Sequence, residues 1–281
     1  MYMMLGHMQK NRKENCMNDK LKTAVYGFAV GDAFGVPYEF CARGVWVKED
    51  MTDGGVWAQP KGTWSDDTAL LLATCDAIRK DGGKIRRKSV LNNLKNCIEG
   101  KYYIDHKVFD VGTTTSQALK KGAGLCSEHN CGNGSLMRIL PLAFIRNGLF
   151  HTGTISSITH AHPLCIYACK RYLRMVRELC AKPDNAKNII YDYGSHIVNQ
   201  HSDNIKSTGY VVDTLNSVLW CLYHTNSYKT AVMQAVKLGG DTDTIAALTG
   251  ACAALIYGID SIPQNWMEDL KGKDIIERSL F

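Results

Sequence analysis

Two short segments carry most of the chemistry this sequence can offer. One is Gly62-Thr63-Trp64-Ser65-Asp66-Asp67-Thr68, the other Gly239-Gly240-Asp241-Thr242-Asp243-Thr244. Each combines a flexible approach, two acids close together and hydroxyl side chains, and each runs straight into an apolar stretch of helical pattern. Taken singly, either segment reads as a helix start. Ser65 or Asp66 would cap a helix, and acids in a first turn favour its dipole. Taken together they ask for more. Four carboxylates at the mouths of two mostly apolar helices are costly to bury without compensation. If those helices pack side by side, their acids converge, and divalent cations supply the missing positive charge. Carboxylates and hydroxyls without Cys or His are hard oxygen ligands, which favours Mg²⁺ or Mn²⁺ over Zn²⁺. Two such clusters suit a two-metal site that polarises a substrate or activates water.

Four weaker constellations accompany them. The first runs Gly27, Gly31, Asp32, Ala33, Gly35, Tyr38 and Glu39; its glycines allow close helix packing and then a break, and Glu39 follows on a loop. Glu39 is either an exposed loop acid or part of the site. In Asp110-Val111-Gly112-Thr113-Thr114-Thr115, Asp110 either initiates a turn or joins the site. Cys131-Gly132-Asn133-Gly134-Ser135-Leu136-Met137-Arg138 is a Gly-rich loop whose backbone N–H groups can meet phosphate oxygens. Thr159-His160-Ala161-His162-Pro163 places two histidines in a loop, where they are structural or face a ligand.

The elements that must position these groups are helical. Asp19–Val30 has apolar residues on one helical face, with Gly31 and Gly35 expected to break it. Residues 41–64 read as a loop. The pattern predicts helices at Asp66–Lys80, Lys88–Glu99 and Thr113–Lys121, the last ending at Gly122. A loop at His129–Gly134 leads to an apolar segment, Ser135–Arg146. Thr154–His160 then leads into a long helix, Pro163–Leu179. Further helices are expected at Ala186–Gln200, Val211–His224, Tyr228–Leu238, Thr244–Tyr257 and Trp266–Lys271. Thr244–Tyr257 is nearly all small or apolar and reads as a central buried helix. Alternating β runs are scarce, no Pro/Ser-rich linker divides the chain, and no repeat of 20–50 residues is evident. One compact all-α domain over residues 19–281 follows, behind a loose tail over residues 1–18.

Composition narrows the class. The 281 residues are 45% hydrophobic and 21% charged, enough for a substantial core. Much of the net charge of +6 is local, in Lys10, Arg12 and Lys13 and in Lys84, Arg86, Arg87 and Lys88. Neither run is interleaved with aromatics, so both read as solvated faces and no specific nucleic-acid partner is indicated. Most of the 11 cysteines sit in apolar runs, such as Cys75, Cys165, Cys169, Cys221 and Cys252, and read as buried thiols of a reducing compartment. Cys126, His129 and Cys131 lack the pairing of a structural zinc site. There is no apolar run long enough to span a membrane and no secretory signal pattern, so a cytoplasmic protein is expected.

GxxxGDAFGVPYEF, GTWSDDT, DVGTTT, GNGSLMR, THAHP and GGDTDT occur in this order over about residues 22–260. Together they resemble the ADP-ribosylglycohydrolase family. The resemblance implies an all-α fold with a binuclear Mg²⁺ or Mn²⁺ centre in a central cleft. By motif position Ser65, Asp66 and Asp67 match one ligand group, and Asp241, Asp243 and Thr244 the other; the family often carries Thr where Ser65 stands. Asp67 and Asp243 thereby count as catalytic through the metals. Glu39 matches a glutamate near the metals and Asp110 an acid that engages the substrate ribose, and either could carry the acid–base role. Asn133, Gly134, Ser135, Met137 and Arg138 match the segment lining the ADP-ribose site, and His160 a histidine near the ligand. The implied reaction is hydrolysis of the bond joining ADP-ribose to an acceptor, through an oxocarbenium-like transition state. The expected substrate is an ADP-ribosylated protein, with arginine as the expected linkage and ADP-ribose as product. An ADP-ribosyltransferase toxin is a further expected partner. The alternatives are hydrolysis of another ADP-ribose conjugate, and an ADP-ribose-binding, toxin-blocking immunity-type protein.

Overall fold

The computed structural model describes the backbone of residues 2–281 and the side chains of residues 17–281. The tail expected over residues 1–18 lies almost wholly outside the described side chains. The described backbone holds twelve α-helices and no strand, with three isolated bridges. They are α1 (Tyr2–Gly35), α2 (Asp66–Lys80), α3 (Arg87–Ile98), α4 (Thr113–Lys121), α5 (Gly148–Ser156) and α6 (Pro163–Ala181), then α7 (Ala186–Val198), α8 (Val211–His224), α9 (Tyr228–Lys237), α10 (Thr242–Tyr257), α11 (Gln264–Asp269) and α12 (Lys273–Ser279). None of the described helices is long and apolar enough to cross a membrane.

α10 is the axis. Every residue from Thr242 to Leu255 is buried, as its all-round apolar pattern requires. α1 lies antiparallel along it, and here the structure corrects an expectation. Gly31 does not break α1; the helix runs through it and ends at Gly35. Gly27, Gly31 and Gly35 instead form one stripe that lets two backbones touch. A Cβ at Gly31 would lie 2.3 Å from the Ala246 carbonyl oxygen, one at Gly27 2.5 Å from that of Gly250, and one at Gly35 2.5 Å from Asp243 Cα. The cost of glycine in a helix, about 1 kcal/mol each, is offset by that contact. The register brings the C-terminal end of α1 to the N-terminus of α10. Val36–Tyr38, a 3₁₀ turn carrying Pro37, then turns the chain away.

The N-terminus of α2 arrives at the same place. Trp64, fully buried, anchors its approach, and Ser65 caps it with a side chain that accepts the Asp67 N–H. Two helices escaped the sequence reading. α5 carries Gly148 and Gly153, and α12 is short; both are held by packing more than by pattern. The apolar segment after the Gly-rich loop is mostly turns, with a 3₁₀ stretch at Leu140–Phe144 opened by Pro141.

Candidate metal centre and substrate cleft

Asp32 organises the α2 side. Its carboxylate is fully buried and accepts the N–H groups of Ser65 and Thr68, each at 3.0 Å, and the Thr68 hydroxyl at 2.6 Å. An acid from α1 thus satisfies donors that the first turn of α2 would leave open. On the α10 side, Thr242 donates to the Gly35 carbonyl at 2.9 Å, and Asp243 Oδ1 accepts the Thr244 N–H at 2.9 Å. The two helix mouths are joined directly: Thr244 Oγ1 donates to Asp67 Oδ2 at 3.0 Å. Asp241 Oδ2 accepts from Asn133 Nδ2 at 2.6 Å, and the same amide reaches Thr214 Oγ1 at 3.0 Å.

Two groups of three acids result. Asp32, Asp67 and Asp243 bring one oxygen each within 4.8 Å of one another, as do Glu39, Asp241 and Asp243. Asp243 belongs to both. Asp67 Oδ1 and Asp243 Oδ2 are buried with no hydrogen-bond partner. Orphaned buried carboxylate oxygens are costly, and two acids that carry them in one all-oxygen cluster fit a divalent cation.

The electrostatics agree. Burial first, then the charges of Asp67 and Asp110, push the Asp66 carboxyl well above the usual carboxylate range. Asp67 and Asp243 are raised likewise, by burial and then by Asp32 and by Asp67 respectively. Burial lifts Asp32 to about 6 against the pull of its hydrogen bonds, and lifts Asp110 to about 6. Glu39 rises to about 8 through burial and the Asp110 charge, although the Trp57 indole N–H donates to it. Like charges this close cannot all ionise unaided, and a bound cation inverts that logic.

Above the acids opens a cleft of about 260 Å³. Its walls include Glu39, Asp66, Asp67, Asp110, Asn133, Gly134, Met137, His160, Asp241 and Thr244 from the sequence expectations. Ser65 and Asp243 lie buried beneath it. Two expected wall residues stand elsewhere. Ser135 Oγ is buried between Ser156 and Cys169, and Arg138 is buried with Nη2 on the Ile155 carbonyl and Thr159 Oγ1. The wall also gains Phe40, which the sequence did not single out. Asp110 and Phe40 both hold φ near +61°, where non-glycine residues are rare. The Phe40 N–H is pinned to the Gly240 carbonyl at 2.8 Å, which places its side chain beside the cleft. Asp32 was given no role in the site, although an acid between Gly31 and Ala33 on a packed helix face was a usable signal. Trp57, in a turn-rich loop, gave none.

The family model described as ADP-ribosylglycohydrolase matches residues 13–280. The chain belongs to the ADP-ribosylglycohydrolase family. It is 31% identical to the ADP-ribosyl-[dinitrogen reductase] glycohydrolase of Rhodospirillum rubrum, over 94% of each chain. It is 29% identical to the ADP-ribosylarginine hydrolase Tri1 of Pseudomonas putida (strain GB-1), over 92% of this chain and 76% of that one. A solved structure titled ADP-ribosylglycohydrolase-related protein complex superposes with a TM-score of 0.77, at 24% identity, over 94% of this chain and 96% of the other. The all-α architecture is therefore that of the family, and the chain is an ADP-ribosyl glycohydrolase, a hydrolase of N-glycosidic bonds. Its acidic cleft could hold a metal.

Proposed function

We propose that this enzyme removes ADP-ribose from modified arginine side chains of a protein, using two divalent cations, Mg²⁺ or Mn²⁺. The observation that carries the reading is the meeting of two helix N-termini, each with one orphaned buried carboxylate oxygen, under a single cleft. Asp66, Asp67, Asp241, Asp243 and Thr244 would hold the ions, with Ser65 fixing the first turn of α2. Bound there, the cations supply Lewis-acid polarisation of ribose hydroxyls and water. Asn133 keeps Asp241 in place for that task. Glu39 and Asp110 sit against one another at the cleft, so either can carry the proton that passes to the departing guanidine. The arginine linkage rests on the relative whose name specifies ADP-ribosylarginine, and the protein acceptor on the one whose name specifies ADP-ribosyl-[dinitrogen reductase]. The cytoplasmic setting rests on thiols such as Cys75, Cys169 and Cys221 being buried as free cysteines.

The test is release of ADP-ribose from arginine-, serine- and DNA-linked substrates with Mg²⁺ or Mn²⁺. Release from the arginine conjugate alone, stopped by a chelator, is expected. Cleavage of another linkage instead would replace the acceptor. No release from any of the three with either cation would overturn the reading.

A further inference from the structure

We infer that Arg138 and Thr159 form a positioning relay that fixes His160 as its Nε2–H tautomer and so presents a neutral N–H donor to the substrate cleft. Arg138 has donors only, and its Nη2 gives one hydrogen bond to Thr159 Oγ1 at 2.8 Å and one to the Ile155 carbonyl at 3.1 Å. Thr159 Oγ1 lies 2.9 Å from His160 Nδ1. A hydroxyl that accepts from arginine still has one proton to place, and His160 Nδ1 is its acceptor. The alternative, an Nδ1–H donating to Thr159, would leave a buried hydroxyl proton unpaired. With Nδ1 accepting, the ring proton is on Nε2.

His160 is anchored through its backbone. Its backbone N–H bonds to the Ser156 carbonyl at 2.9 Å, and its own carbonyl accepts from Ser156 Oγ at 3.0 Å. Its Nε2 edge faces the Gly-rich loop: a Cβ on Gly134 would lie 2.8 Å from Cε1 and 3.3 Å from Nε2, so glycine keeps that edge open. Burial, then the Arg138 charge, lowers the imidazole to about 3, and the ring stays neutral across the physiological range. Arg138 does not touch the cleft; it acts through Thr159. What the donor meets there, a hydroxyl or phosphate oxygen of the ADP-ribosyl group, rests on the function proposed above.

The experiment is ¹H–¹⁵N spectroscopy of the histidine rings in the full chain, with His160 assigned by loss of its signal in His160→Gln. The wild type is expected to show a single Nε2–H tautomer that does not titrate between pH 5 and 8. Thr159→Val should move it toward Nδ1–H and weaken ADP-ribose binding about tenfold, as for one lost hydrogen bond, raising KM more than it lowers kcat. Thr159→Ser should restore both. Arg138→Met should shift the tautomer in the same sense; should it not fold, the Thr159 pair decides alone. An Nδ1–H ring in the wild type, or an unchanged tautomer in Thr159→Val, would overturn the relay. If the tautomer behaves as expected but ADP-ribose leaves the ring signal unmoved, the relay stands and the ADP-ribose reading of the cleft falls.

Discussion

The two helix mouths share a sequence grammar but are supported in different ways. The α2 mouth is closed from within and from behind: Ser65 caps its own helix, and Asp32 takes two backbone donors and a hydroxyl. The α10 mouth has no side-chain cap from Asp241. Asp243 accepts the adjacent Thr244 N–H, and the other supports are distant: Asn133 donates to Asp241, and Thr242 donates to the Gly35 carbonyl. Both mouths lean on α1, through Asp32 and through the Gly35 carbonyl, but only the α2 mouth adds a side-chain cap of its own and only the α10 mouth draws on the Gly-rich loop. Yet each ends with one orphaned carboxylate oxygen, on Asp67 and on Asp243. The function sits in what the mouths have in common, and their different supports can be broken separately.

The largest effect should come from the shared feature. Asp67→Ala and Asp243→Ala should each abolish cation-dependent release of ADP-ribose, by about a thousandfold or more for a lost interaction at the reacting centre. Both should also erase the thermal stabilisation that Mg²⁺ or Mn²⁺ gives the wild type. The sign in chelator is the discriminating point. These carboxyls are raised by burial and repulsion. Without cation, their contribution to stability is therefore present at low pH and lost as pH rises through the raised values. Wild type in chelator should melt lower at pH 8 than at pH 5.5, and the alanine variants should lose part of that slope. Full activity in either variant would remove that mouth from the centre.

An intermediate effect should separate the supports. Asp32→Ala strands the buried Ser65 and Thr68 N–H groups and should cost about 2–4 kcal/mol in denaturant unfolding. Asn133→Ala leaves α10 intact and should cost less stability, while reducing turnover about 10–100-fold through a loosened Asp241. Equal stability losses would mean that the mouths are supported alike.

The same asymmetry explains what could be read from sequence. α2, α4 and α8 have the bounds expected from pattern, because local signals fix them: Ser65 starts α2, and Gly122, at φ 75°, stops α4. The glycine stripe was read correctly as allowing close packing, and the helix does end at Gly35; only the break at Gly31 was misplaced, because a glycine that ends a helix and one that lets two helices touch look identical until the partner, α10, is known. Asp32 and Arg138 were misjudged for a related reason. Both are charged residues whose partners lie far along the chain or in another segment, so neither local period nor spacing reveals them. The acids of the two mouths were legible because their types exclude most other chemistry, whereas Trp57 and Phe40 reach the cleft only through loop geometry.

The smallest effect tests how far the α2 cap is structural. Ser65 Oγ accepts the Asp67 N–H and reaches Asp67 Oδ2, both at 3.2 Å. Removing it in Ser65→Ala should cost about 1 kcal/mol, the usual worth of an N-cap, measured by urea unfolding in chelator. Ser65→Thr keeps the hydroxyl and should lie within about 0.5 kcal/mol of wild type. Repeating the pair with saturating Mg²⁺ separates two roles. If Ser65 only caps, the cost of Ser65→Ala is the same with and without cation. If its hydroxyl also ligates, the cost grows in Mg²⁺, because the variant then loses cation affinity as well as the cap. A larger cost in Mg²⁺ would move Ser65 from support to centre, and the α2 mouth would then supply a neutral ligand beside its acids, matching Thr244 on the α10 side.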